Sequence, residues 1–192
     1  MKDRPTGAGR SSFDLVDVGK LFSALELSPG DVFLDLGSGA GAYALAAVEH
    51  VSDQGVIYAV DLWEEGIERL RSEVERRQIS TVYPKRADIS KHIPLEDGTV
   101  DVGLVSTVLH DLVRDGTHEA ALREVRRVLR PEGRLAVVEF KKLAGSPGPP
   151  VEVRLSPEEV EELLRHHAFE VVAIMDVGPY HYLSMSVAER KE

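Results

Sequence analysis

The sequence predicts a doubly wound α/β fold, an open sheet of about seven mostly parallel strands that ends in an antiparallel C-terminal hairpin. Three observations lead there. Short apolar runs of buried-strand type alternate with stretches of helical periodicity, the pattern of a parallel sheet covered on both faces. A glycine-rich segment, Asp35-Leu36-Gly37-Ser38-Gly39-Ala40-Gly41, stands between the first strand and the helix after it. Two closing apolar runs, FEVVAIMDV and YHYLSMSVAE, are joined by Gly178-Pro179 and read as an antiparallel pair.

Residues 1–12 are polar and read as a flexible arm. From Phe13 to Leu27, the apolar positions Val18, Leu21, Phe22 and Leu25 recur at helical spacing. Pro29-Gly30 turns the chain into the strand VFLDL, and after the glycines Ala44, Leu45, Ala47, Val48 and Val51 give a helix with a broad apolar face. VIYAVDL (56–62) is the second strand, followed by a helix with Ile67, Leu70 and Val74 on one side. A weaker third strand precedes Asp88, VDVGLVSTVL is the fourth, and a helix runs from about His118 to Leu129 on Leu122, Val125 and Leu129. Pro131-Glu132-Gly133 turns into the fifth strand, RLAVVEF. KKLAGSPGPP reads as a long surface loop, after which Ser156, Pro157 and Glu159 open a helix with a capping box. No repeat and no linker divides the chain, so residues 1–192 read as a single domain.

Composition narrows the function. A hydrophobic fraction of 43% supports a full core, and the absence of cysteine removes disulfides, cysteine nucleophiles and thiolate metal sites. No other metal-ligand spacing stands out, so no metal is expected. The formal net charge of −10 opposes phosphate backbones and anionic membranes, which favours a small molecule or a protein as partner over nucleic acid. The start MKDRPTGAGRSSFD has no apolar run of a secretory signal, and no stretch approaches the ~20 apolar residues of a membrane span. The expected location is cytoplasmic.

The glycine segment carries the most chemistry. Glycines permit a tight turn and close approach of a ligand to the backbone, and the helix that follows begins with unpaired N–H groups. Asp61 ends the second strand twenty positions after Gly41, where a carboxylate can accept both hydrogen bonds of a ribose diol. Each feature also has a plain structural reading, as a turn and as a helix cap. The spacing is Gly-x-Gly-x-Gly, short of the nicotinamide fingerprint, and Asp35 places negative charge where a diphosphate would lie. That carboxylate suits a cation, such as the ammonium of a methionine moiety.

The segments VFLDLGSGAGAYALA, VIYAVDLWEEGIERL, KRADISKHIPLEDGTVDVGLVSTVLHDL and VLRPEGRLAVVEF follow one another over about residues 30–140. In this order the sequence resembles the class I S-adenosylmethionine-dependent methyltransferases, above all the small type 11 domains shared by ubiquinone/menaquinone C-methyltransferases. The resemblance implies a Rossmann-like sheet, S-adenosylmethionine as cofactor and S-adenosylhomocysteine as product. It implies that Asp35, Gly37, Ser38, Gly39 and Gly41 surround the methionine part and that Asp61 holds the ribose, with Leu62 against the adenine. It further implies that Asp88 accepts from the adenine amino group beside Ile89, and that Ser106 lines the side nearest the methyl group. Two departures matter. The Asn/Asp-Pro-Pro-Tyr/Phe motif of nucleobase amino-methyltransferases is replaced by Ser106-Thr107-Val108-Leu109-His110, and the cysteines on which arsenite methyltransferases depend are absent.

Within that frame His110 is the candidate general base, since imidazole titrates near neutrality; its alternative is to pack or cap the following segment. Asp111 reads as a solvated or capping carboxylate, His166-His167 as a structural helix end, and Trp63 as packing at the cofactor rim. Glu139 and Lys141 either face the substrate or form a surface ion pair. Residues 7–13 are either a lid over the cofactor or a floppy tail. Three functions follow: a methyltransferase acting on a small molecule, one acting on protein or RNA, and a nonenzymatic S-adenosylmethionine-binding module.

Overall fold

The computed structural model describes residue 9 and residues 11–189. A single 3-10 turn, Phe13–Leu15, precedes α1 (Val18–Leu25), after which strands and helices alternate: β1 (Val32–Leu36), α2 (Ala42–Val51), β2 (Val56–Asp61), α3 (Glu64–Arg77) and β3 (Val82–Arg86). Then come β4 (Val100–Ser106), α4 (Leu109–Arg114), α5 (His118–Val128), β5 (Leu129–Phe140), α6 (Pro157–Arg165), β6 (Phe169–Asp176) and β7 (His181–Ala188). The seven strands form one sheet in the order β3-β2-β1-β4-β5-β7-β6. The pairings β1–β2, β1–β4, β2–β3 and β4–β5 are parallel, whereas β7 runs antiparallel to both β5 and β6.

Helices cover both faces, as the sequence pattern requires. Leu21, Phe22, Ala44, Ala47 and Leu70 of α1–α3 pack with Phe33, Leu104, Ala136 and Val138 on one side. Leu109, Leu122, Val125, Val160 and Leu164 of α4–α6 pack with Leu34, Leu36, Val105 and Val137 on the other. Every residue of β4 is buried, which explains why its sequence reads as an apolar run without alternation. The chain winds outward from β1 through β2 to β3, then crosses back to β4. The switch in direction therefore falls between the carboxyl ends of β1 and β4, the place where open α/β sheets bind ligands.

Four local expectations differ from the structure. The first helix is split because Asp17 caps a new one, its carboxylate accepting from the Lys20 N–H at 3.0 Å. The fourth strand ends at Ser106, because Thr107 turns the chain at φ 55° and α4 begins at Leu109. β5 starts at Leu129, so the Pro131-Glu132-Gly133 turn sits inside it as an irregularity. Ser12, assigned from sequence to a flexible arm, is buried; residues 1–8 and 10 of that arm lie outside the described residues. The capping box at Ser156 and Glu159 forms as expected. Among the described residues, no helix is long and apolar enough to cross a membrane, and no group of three or more His, Asp or Glu side chains is placed to hold a metal.

Candidate functional site

The loop after β1 is tied to β2, with the N–H groups of Gly37 and Ser38 both donating to the Val60 carbonyl at 2.8 and 3.2 Å. Its glycines answer different demands. A Cβ on Gly37 would stand 2.5 Å from a Val108 methyl, and one on Gly41 would stand 2.4 Å from a Leu70 methyl, so both serve close packing. A Cβ on Gly39 would meet nothing within 4 Å, so this part of the loop faces open space. The Ser38 hydroxyl is buried beside it without a hydrogen-bond partner, a donor suited to an anionic ligand group.

Asp61 closes the loop from below. One carboxylate oxygen accepts from the Gly39 N–H at 2.7 Å and the other from the Trp63 N–H at 2.6 Å. A carboxylate has about four lone-pair sites, so each oxygen keeps capacity for a hydroxyl donor while its orientation is fixed by backbone. Next to it the apolar side chain of Leu62 is 43% exposed, whereas Trp63 is buried against Gly66 with Arg69 over its ring. Ile89 is buried in the core beneath α4 and α5. Asp88 accepts from the Ser90 N–H and hydroxyl and pairs with Lys91 at 3.2 Å. Partial burial disfavours its ionisation, but Ser90 and Lys91 outweigh that and hold its carboxyl below the usual range.

Asp35 is 1% exposed, on the opposite face of β1 from Leu36, and its carboxylate accepts from the Ala44 N–H at 3.1 Å. Burial pushes its pKa up to about 7; the Ala44 N–H opposes the shift and the Asp61 charge adds to it. A carboxylate so desolvated is ready to receive a cation. Nearby, the Ser12 hydroxyl bridges Tyr43 Oη at 2.9 Å, Ser106 Oγ at 3.1 Å and Thr107 Oγ1 at 3.3 Å, while Phe13 stands edge-on to Tyr43. The segment before α1 thus lies across the end of β4.

Glu139 is neither surface ion pair nor free. It is fully buried and faces His110, which is 4% exposed. Its carboxylate oxygens stand 2.8 and 3.0 Å from His110 Nδ1 and also accept the main-chain N–H groups of His110 and Phe140. Burial works against a charged imidazole, but the hydrogen bond and charge of Glu139 outweigh it, so the His110 pKa is raised. Its Nε2 is 3.8 Å from Asp111, whose carboxylate is also paired with Arg114. Lys141 pairs with Asp176 at 2.9 Å, the second of the two alternatives read from sequence, and His166 caps α6.

Other residues here were not singled out from the sequence. Arg154 is buried and binds the carbonyls of Lys141, Leu143, Ser146, Pro147 and Pro149, tying loop 141–150 into a fixed shape against Phe140. His181 is fully buried 4.3 Å from the Phe140 ring, and burial, against an opposing hydrogen bond with the Leu15 backbone, lowers its pKa to about 4. No local pattern marks Ser12 or His181, whose partners lie on other elements, or Arg154, whose partners are loop carbonyls that carry no sequence signature.

Comparison with known proteins bears on the family and the fold. A family model described as a methyltransferase domain matches residues 34–137, more than half of the chain. An S-adenosylmethionine-dependent methyltransferase from Aquifex aeolicus has a TM-score of 0.84 and 29% identity, covering 95% of both chains. A demethylmenaquinone methyltransferase of Mycolicibacterium gilvum is 37% identical over 117 residues, 61% of this chain and 45% of that one. An arsenite methyltransferase of Halobacterium salinarum is 30% identical over 141 residues, 73% of this chain and 34% of that one. The chain spans between a third and a half of the length of these two curated relatives. With the ordered motifs, the doubly wound sheet and the loop at its switch point, the chain belongs to the methyltransferase-domain family, in the S-adenosylmethionine-dependent class its sequence resembles.

Proposed function

We propose that this chain is one domain that binds S-adenosylmethionine over the carboxyl ends of β1, β2 and β4 and transfers its methyl group to a small-molecule acceptor. The observation that carries the reading is the Asp61 carboxylate, held by the N–H groups of Gly39 and Trp63 beside a loop that opens at Gly39. In this reading Asp61 takes the ribose hydroxyls, Asp35 the ammonium, and Ser38 with the loop backbone the carboxylate of the methionine part. Leu62, Asp88 and Ile89 take the adenine, and Ser106 stands nearest the methyl group.

When bound, the cofactor supplies an electrophilic methyl carbon on a sulfonium, itself a good leaving group. The work left to the protein is to align an acceptor and exclude water, and positioning alone contributes several kcal/mol. Ser12 and Phe13 cover the site at the end of β4. The Glu139 carboxylate fixes a proton on His110 Nδ1 and leaves Nε2 as the atom that would take a proton from a protonated acceptor.

Two relatives that differ in acceptor, one named for demethylmenaquinone and one for arsenite, support a small-molecule acceptor as a class. The complete lack of cysteine separates this chain from thiol-dependent handling of arsenite. Calorimetry tests the cofactor reading: S-adenosylmethionine and S-adenosylhomocysteine should bind and NAD should not. Tight NAD binding without response to either adenosyl ligand overturns it. A metabolite screen for S-adenosylhomocysteine release then identifies the acceptor.

A further inference from the structure

The turn joining α6 to β6 lies at the amino ends of the parallel strands, opposite the glycine loop at their carboxyl ends. Between this turn and α5 is a groove of about 540 Å³ lined by Glu119, Arg123, Arg126, Arg127, His166 and His167. In a chain of net charge −10 this lining is strongly basic. Its volume lies in the range of small-molecule pockets.

The three arginines are not equivalent. Arg127 is fully engaged, with Glu124, Asp97 and the carbonyls of Ile93 and Leu95, and forms a rigid wall. Arg123 is 64% exposed, and its carboxylate neighbour Glu119 stands 3.7 Å away, beyond hydrogen-bond distance. Arg126 has no carboxylate partner among the described residues; it donates to the Glu189 carbonyl, and its Nε is buried with no acceptor. The Nδ1 of His118, at the start of α5, is likewise buried without a partner. The local field is positive: burial first, then Arg123, His118 and His166, hold the His167 pKa below its usual value against the opposing charge of Glu119.

A buried guanidinium N–H left without an acceptor is costly, and native structures normally meet such groups with water or an ion. Guanidinium forks match tetrahedral oxyanions with paired, charge-assisted hydrogen bonds. We propose that this groove is a second ligand site, which binds the phosphate group of a small phosphorylated molecule through Arg126 and Arg123. The space exceeds a bare phosphate and leaves room for an organic moiety. The overall charge of the chain opposes a long polyanion. The site is separate from the cofactor loop and does not depend on methyl transfer.

The test is titration calorimetry of inorganic pyrophosphate into the full chain at low ionic strength, after saturation with S-adenosylhomocysteine to cover the cofactor loop. The saturation step by itself reports on the methyltransferase reading, so failure of either is distinguishable; if it fails, the titration is run on the ligand-free chain. One saturable site is expected. Arg123→Gln, at an exposed position that folding does not need, and Arg126→Gln should each weaken it at least about tenfold, with S-adenosylhomocysteine affinity unchanged. Absence of saturable binding, or the same affinity in the double variant, overturns the proposal. So does binding of a single-stranded oligonucleotide with none of pyrophosphate.

Discussion

Asp35→Asn should make the ligand-free protein more heat-stable and a poorer binder of its cofactor. Burial, opposed by the Ala44 N–H and reinforced by the Asp61 charge, raises the Asp35 pKa from 3.8 to about 7. The native state therefore holds a proton that the unfolded chain releases between those two values. Native stability falls as pH rises through that window and stays low above it. About three pH units at about 1.4 kcal/mol each give a cost of about 4 kcal/mol above neutrality. Asparagine never ionises, and its carbonyl oxygen can accept the same Ala44 N–H, so the substitution removes the cost. Thermal melts from pH 4 to pH 8 should show the variant and the parent close together at the acid end and separated by on the order of 10 °C at the other. S-adenosylhomocysteine affinity should fall at least about tenfold at pH 8, where the ammonium loses its charged partner. In the parent, binding near pH 6 should release a proton as that ammonium draws Asp35 into its ionised form, which calorimetry in buffers of different ionisation enthalpy can detect. A melting difference that does not change with pH refutes the reasoning.

Asp61→Ala removes the anchors of the Gly39 and Trp63 N–H groups and, in the proposed reading, two acceptors for the ribose, each worth roughly 1.5–3 kcal/mol as charge-assisted hydrogen bonds. Cofactor affinity should drop at least tenfold, and amide exchange at both positions should quicken; unchanged affinity places the ribose elsewhere. His110→Asn should leave cofactor binding intact and, if His110 takes the acceptor's proton, lower turnover by about 10²-fold and remove the acidic limb of the pH–rate profile. Because the His110 pKa is raised, the stability it gains from Glu139 is complete below the ordinary imidazole value and is lost as pH rises through the raised one. A normal rate with a lower melting temperature, the deficit shrinking at alkaline pH, assigns His110 to packing alone. Hydrogen exchange over residues 7–13 should slow when S-adenosylhomocysteine binds if they form a lid, with Ser12 already bridging Tyr43, Ser106 and Thr107; no added protection there removes the lid.

What the sequence determined by itself was the order and kind of the main elements, although their local boundaries, such as the Asp17 cap and the Thr107 turn, were not read from it. Strand and helix alternation follows from period and turn residues, and the Ser156–Glu159 box from four neighbouring positions. The turn of the glycine loop was legible because its requirements are written in consecutive residues, whereas its tie to Asp61 joins positions 22 residues apart. Only tertiary structure decided the partners of His110, Arg154, Ser12 and His181. Glu139 lies 29 positions from His110, and Ser106 lies 94 from Ser12. Glu139, at the end of an apolar strand, looks the same in sequence whether it meets solvent or an imidazole. Nor does a proline-rich loop announce that the guanidinium of Arg154 fills its centre. The pairing of distant polar groups is set by which strand ends the sheet brings side by side, and desolvation then fixes their protonation; neither quantity exists before the chain has packed.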